Sequence, residues 1–248
     1  MTDMPSIDAP VRPRRKHGLF SVVGDIGTVE GLTPVAFESE SCAGVQVRYP
    51  CLALQPDKVI PPTLPYQDGF EPFWIVSGYE CRAFSDVETY GTRALNALDT
   101  IVERTVEQEL WLSPVSPSVS TLAPVGVGAN PDLRLAAALD FISQCGGAGG
   151  GILQMSAGTA SQLLSSNALI LVGDQIVTAA LGLPVFITSA PIGTSIAITG
   201  GITVQLSEPT VIGGPSSWVD TGTNETLVVA ERMAVVAWDG ECCAGIVN

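Results

Sequence analysis

The chain is 248 residues long with a formal net charge of −14, which argues against an outer surface that grips nucleic acid by charge. Hydrophobic residues make up 46% and charged residues only 15%, so one large domain or two interleaved ones can enclose a sizeable core. No secretory pattern opens the chain and no apolar run reaches the roughly 20 residues that span a bilayer, so cytoplasmic synthesis and no membrane partner are expected.

The charge is unevenly spread. Arg12, Arg14, Arg15 and Lys16 place four of the eleven basic residues within five positions. From 110 to 207 the only charges are Asp132, Arg134, Asp140 and Asp174. Ser, Thr and Gly supply part of the missing polarity. A surface this neutral is nevertheless expected to be covered largely by neighbouring subunits.

Residues 1–18 carry prolines and no periodicity, and they read as an extended arm. Its basic cluster could meet nucleic acid, an acidic patch on a neighbour, or solvent alone. A short apolar strand is predicted within 18–26, with further strands at 34–37 and 45–49. Residues 50–72 hold six prolines, a density that excludes helix and central strand. Strands are predicted again at 73–76 and 80–84. Strand regions on either side of a Pro-rich tip make a long open hairpin, which needs another surface to lie on. That surface is expected to be a second copy of the chain.

Residues 85–112 encode the one long helix. Ser85 and Glu88 form a capping box. Val87, Gly91, Ala94, Leu98, Ile101 and Thr105 fall on one stripe, and Gly91 implies a close neighbour. Arg104 and Glu107, three apart, are expected to pair on the opposite side. Ser113-Pro114 ends the helix. A loop follows over 113–130. Asn130 as N-cap and Pro131 at the first position then open a helix to Gln144. A strand is predicted at 152–155, a short helix at 157–165 and a strand at 167–172, followed by a turn at Gly173-Asp174. Residues 176–181 lead to Gly182. Strands follow at 185–188, 196–198, 202–206 and 211–212, and two closing strands at 226–230 and 233–238. Helices set among short strands make this α+β and not a βαβ series.

No constellation of reactive groups assembles in the sequence. The glycine run 146–151 follows a helix, matches neither dinucleotide nor phosphate-loop spacing, and has no lysine after it. A Ser–His–Asp triad would have to use His17, the single histidine, which borders the basic arm. The pairs Glu38 and Glu40, Glu107 and Glu109, and Asp239 and Glu241 are i, i+2 neighbours and read as solvated faces. The six cysteines include no CxxC and read as reduced thiols, and the adjacent Cys242 and Cys243 are poorly placed to bridge. Asn224 heads a glycosylation pattern that means nothing without secretion. No catalytic, cofactor-binding or metal-ligating residue is expected, no cofactor is implied, and the chain does not read as an enzyme.

The order of the pieces resembles the major capsid proteins of tailed bacteriophages, whose fold is shared with encapsulins and herpesvirus shells. The nearest likeness is to the short capsid proteins of actinobacterial phages. The residues that carry it are FWIVSGYECRAFSDVETYGTRALNALDTIVERTVEQELW, 73–111, and GGILQMSAGTASQLLSSNALILVGDQIVTAALGLPVFIT, 150–188. The resemblance implies an N-terminal arm at 1–33 and an extended loop with peripheral-domain strands at 34–84. It implies a spine helix and peripheral domain at 85–130, an axial domain at 131–206 and closing peripheral-domain strands at 207–248. It implies a structural head protein that assembles as hexameric and pentameric capsomers into an icosahedral shell, made in the host bacterial cytoplasm and residing in the virion capsid. The implied partners are further copies of itself, double-stranded DNA held without sequence specificity, and portal, scaffolding and decoration proteins. An encapsulin-like compartment shell and a phage tail or baseplate protein are the alternatives. Some relatives crosslink a lysine to an asparagine between subunits. Here Lys16 and Lys58 are the only lysines and no matched Asn and Glu can be named, so no crosslink is expected.

Overall fold

The computed structural model describes residues 15–23, 26–30, 32, 35–38, 66–82, 87–113, 118–144, 151–213, 219–220, 225–238 and 244–248. The expected strand at 45–49, the Pro-rich tip, the capping Ser85, the glycine run and the cysteine pair lie outside these residues. In chain order the strands are β1 Ile26–Thr28, β2 Val35–Glu38, β3 Tyr66–Phe70 and β4 Phe73–Arg82. Helix α1 spans Val87–Leu112, followed by β5 Pro124–Gly126, α2 Pro131–Gln144, β6 Ile152–Met155 and α3 Ala157–Ser165. Then come β7 Leu169–Val172, β8 Gln175–Thr178, β9 Pro184–Ile187, β10 Ile196–Thr199, β11 Ile202–Leu206 and β12 Thr210–Ile212. The chain closes with β13 Val219–Asp220, β14 Glu225–Trp238 and β15 Gly245–Val247.

β14 is the axis of the first sheet. On one side it runs antiparallel to β4 from Glu225 opposite Arg82 to Ala234 opposite Phe73. On the other side it pairs antiparallel with β11, β12 and β13. β1 adds to β11 in parallel, Ile26 opposite Val204. The two closing strands expected from the sequence are therefore one strand of 14 residues. Glu231 and Arg232 looked like a break, but both stay in the ladder opposite Val76 and Ile75. Arg232 is tolerated there because its Nε and Nη2 donate to the Ser207 carbonyl at 3.1 and 2.7 Å. β4 is likewise continuous where two strands were expected. Gly78 keeps its place because a Cβ there would stand 3.1 Å from the Val228 carbonyl oxygen.

Helix α1 lies against β4 and β14. Gly91, Ala94 and Leu98 are buried as the spacing predicts, and a Cβ on Gly91 would meet Val211 at 3.5 Å. Beyond Leu98 the buried line follows Val102, Val106 and Leu110, while Ile101 and Thr105 are only half-buried. A straight helix advances 3.6 residues per turn, so a stripe built on alternating steps of three and four drifts off the core. Arg104 and Glu107 do not share a solvated face: Arg104 is exposed and Glu107 is completely buried. The helix stops at Leu112, with the Ser113 amide donating to Glu109.

The second sheet has the order β5-β15-β10-β6-β9-β8-β7. Every residue of β6 and β10 is buried. Helices α2 and α3 bury Leu135, Ala138, Ile142, Ala160 and Leu163 with Leu153, Met155, Val185, Ile196 and Ile198. On the sheet's other face Ile152, Phe186, Ala197 and Ile246 join the cluster that contains α1 and β14. Both faces of the sheet's central strands β6 and β10 are therefore covered, which is why they read as unbroken apolar runs. Asn130 caps α2 as expected, its Oδ1 accepting from the Leu133 amide at 2.9 Å. Asn130→Ala is expected to cost about 1 kcal/mol of stability, read as a lower urea midpoint with unchanged m-value.

Four further segments differ from expectation. Leu19–Ser21 forms a 3-10 turn where a strand was predicted, closed by the Ser21 hydroxyl on the Gly18 carbonyl at 2.7 Å. Residues 66–70, counted with the Pro-rich segment, form β3 and pair antiparallel with β2. The 113–130 loop contains a 3-10 turn at Val119–Thr121 and β5. β5 pairs in parallel with β15, a strand not expected from the sequence. Sheet membership also crosses the segment boundaries read from the chain. β11 lies in the first sheet, while β5 and β15 lie in the second.

Candidate assembly surfaces and the arm joint

The described residues contain no group of three or more His, Cys, Asp or Glu placed to hold a metal ion. Among the described residues no helix is long and apolar enough to cross a membrane. His17 is half-buried and its Nδ1 finds no hydrogen-bond partner among the described residues, so no carboxylate orients that ring as a triad would need.

Among the described residues two buried acids, Glu103 and Glu107, lie on α1. Glu103 and Glu107 are one helical turn apart, so both carboxylates point the same way. Glu107 Oε1 accepts from the Leu19 amide at 3.0 Å. Its Oε2 accepts from Arg15 Nη1 at 2.6 Å and from the Ser189 amide at 2.7 Å. Glu103 Oε1 accepts from the Phe20 amide at 2.9 Å. Arg15 also donates through Nη2 to the Ile187 carbonyl at 2.5 Å, and the Ile187 amide donates to the His17 carbonyl at 2.8 Å. A Cβ on Gly18 would lie 2.2 Å from Glu103 Oε1, so any side chain there must displace that carboxylate. Outside this core, Lys16 pairs with Asp174 at 3.0 Å between exposed groups, an ion pair worth little. Gln175 Nε2 reaches the Ser21 carbonyl at 3.2 Å. Residues 15–21 thus lace α1 to the second sheet. The 3-10 turn forms there because the carboxylates take the amides that a strand partner would otherwise need.

Sequence reasoning placed Glu107 on a solvated face. The available signal was its position one residue from Val106 and four from Glu103, on the side of the helix that carries Val102, Val106 and Leu110. Two acids on an apolar face of a charge-poor chain are candidates for buried acceptors.

Two apolar surfaces are left open by this chain alone. The β7–β8 hairpin exposes Ile170, Leu171 and Val172, with Leu171 59% exposed, and Leu181 is exposed nearby in the chain. β7 is also the end strand of its sheet. On the first sheet Trp74 (56% exposed) and Val76 stand opposite Met233 and Glu231, on the face away from Ile75. Ile212 and Val229 are neighbours across β12 and β14. An exposed tryptophan beside exposed aliphatics is unusual for a free surface and usual for an interface.

This architecture, one long helix across a sheet whose partner sheet carries small helices, is the fold of capsid shells. It is similar over almost its whole length to solved shell structures. The capsid of an empty GTA particle is 12% identical, with 98% of this chain and 94% of that chain covered at a TM-score of 0.61. A chain of Mycobacterium phage Che8 is 12% identical, with 100% and 97% covered at a TM-score of 0.57. The holo-SrpI encapsulin complex from Synechococcus elongatus PCC 7942 is 10% identical, with 98% and 92% covered at a TM-score of 0.57. The resemblance drawn from 73–111 and 150–188 is therefore borne out at the level of fold, as is the α+β class. No protein-family model and no curated protein sequence matches the chain.

Proposed function

We propose that this chain is the major capsid subunit of a tailed phage or phage-like particle, a structural protein that assembles with copies of itself into a closed shell. The observation that carries the reading is a likeness to shell structures that covers both chains nearly end to end. The open apolar surfaces support it, because a repeated tile must hide Leu171 and Trp74 against its neighbours. The segments 1–33, 34–84, 85–130, 131–206 and 207–248 act as arm, extended loop, spine, axial domain and closing strands in this reading. The shell encloses double-stranded DNA, with the basic arm turned toward it and the acidic remainder outward. Portal, scaffolding and decoration proteins complete the particle, which forms in the host cytoplasm.

A second reading, a compartment shell around an enzyme, is favoured by the encapsulin likeness at similar coverage. Electron microscopy of the purified full chain tests both: uniform closed particles are expected, and a monodisperse monomer overturns both. Nuclease-protected DNA inside particles made during infection separates the phage shell from the compartment. Leu171→Asp is expected to abolish particles while leaving the circular-dichroism spectrum of the subunit unchanged, because a charge in a desolvated contact costs about 2 kcal/mol or more at each repeat. Normal particles from that variant would remove the β7–β8 hairpin from the interface.

A further inference from the structure

Residues 15–19 and 187–189 are far apart in sequence and meet at one carboxylate. Glu107 Oε2 is shared by Arg15 Nη1 and the Ser189 amide. The two segments are also bonded to each other, through Arg15 Nη2 on the Ile187 carbonyl and the Ile187 amide on the His17 carbonyl. These bonds are directional, and apolar packing that includes Phe186, Ala190 and Ile192 lies beside them.

We propose that Glu107 is a coupling joint, through which the seating of the arm root and the conformation of residues 187–192 are fixed together. Removing Arg15 leaves a completely buried carboxylate without its cation. The cheapest response is for the carboxylate to turn toward water, and it then releases the Ser189 amide as well. Lifting the arm root likewise takes the acceptor from the Ile187 amide and the donor from its carbonyl. Neither segment can leave alone without stranding a buried polar group of the other, so the two move as one. The joint also has unused bonding capacity, since buried His17 Nδ1 and Ser189 Oγ have no partner among the described residues. A pull on the arm at Arg15 is in this way delivered to β9 and the 187–192 segment beside it.

The test is amide hydrogen exchange by mass spectrometry on the full chain, either as free subunit or as assembled particle, so the result does not depend on whether shells form. Arg15→Ala and Gly18→Ala approach the joint from its two ends, one by deleting the cation and one by crowding Glu103. Both are expected to speed exchange at 187–190 by about tenfold or more, together with 16–21, while α2 at 131–144 stays protected. Arg15→Lys, which retains one donor, is expected to fall between. Lys16→Ala, which removes only the exposed pair with Asp174, is expected to change nothing at 187–190. Faster exchange confined to 16–21 would falsify the coupling. So would a general loss of protection that includes α2 in both joint variants, because a local joint requires a local response.

Discussion

Trp238→Ala is expected to destabilise the subunit by about 3–5 kcal/mol, the range for emptying a buried aromatic site. Trp238 is 1% exposed and is among the largest side chains fully enclosed by the protein. It ends β14 opposite Ile202, and its ring meets Phe70 edge-on, with centroids 6.3 Å apart and planes at 71°. Phe70 is itself the last residue of β3, so the aromatic pair ties the base of the β2–β3 hairpin to the central strand. The cavity cannot collapse easily, because Val204, Val236 and Ala237 on the neighbouring positions are held in ladders. The loss is read from urea or thermal unfolding of the unassembled subunit. A change below about 1 kcal/mol would mean that the site refills and that Phe70 is not anchored by this ring. Trp238→Phe keeps an aromatic edge and is expected to lose distinctly less.

Glu107→Ala is expected to cost about as much, 3–5 kcal/mol, for the opposite physical reason. Here the loss is not of packing but of an acceptor shared by three donors. The amides of Leu19 and Ser189 are left facing a low-dielectric site without a counterpart, and the partly exposed Arg15 guanidinium keeps only the Ile187 carbonyl. Glu107→Gln preserves the volume but sets an amide N–H where one carboxylate oxygen stood. It therefore confronts a donor with a donor, and a loss of similar size is expected. Comparison of the urea midpoints of the two variants separates the causes. If Glu107→Gln behaves like wild type while Glu107→Ala does not, volume and not hydrogen bonding is what Glu107 supplies.

These two residues also show what the sequence could and could not reveal. Trp238 sits in a run of apolar residues, 233–238, that could only be strand and core. Asn130-Pro131 announced a helix start through local chemistry alone, and the structure places the cap on Leu133. Signals of this kind are legible because cause and effect lie within a few residues. Glu107 was misjudged because its partners come from 88 and 82 positions away, and no local pattern carries that information. The same holds for Leu19–Ser21. Its composition favours a strand, but the two carboxylates of α1 claim its amides first. Ser77-Gly78 and Glu231-Arg232 looked like strand ends. Each is held within an unbroken ladder by the strand opposite, which overrides local preference. The apolar hairpin at 169–172 was recognised as strand, yet its exposure follows only from its place at the end of the second sheet. The charge-poor stretch from 110 to 207 raised the expectation of covered surfaces, and within it Leu171, Val172 and Leu181 are exposed on this chain.

The unbroken course of β14 has a mechanical consequence. Its 14 residues reach about 47 Å at roughly 3.4 Å per residue, with β4 bonded along one flank and β11, β12 and β13 along the other. Tension applied lengthwise must shear many ladder bonds at once, because they share the strain in parallel. Tension applied crosswise would open them one after another, as a zipper does. The fold is therefore stiff along one direction and yielding across it, so it has a grain.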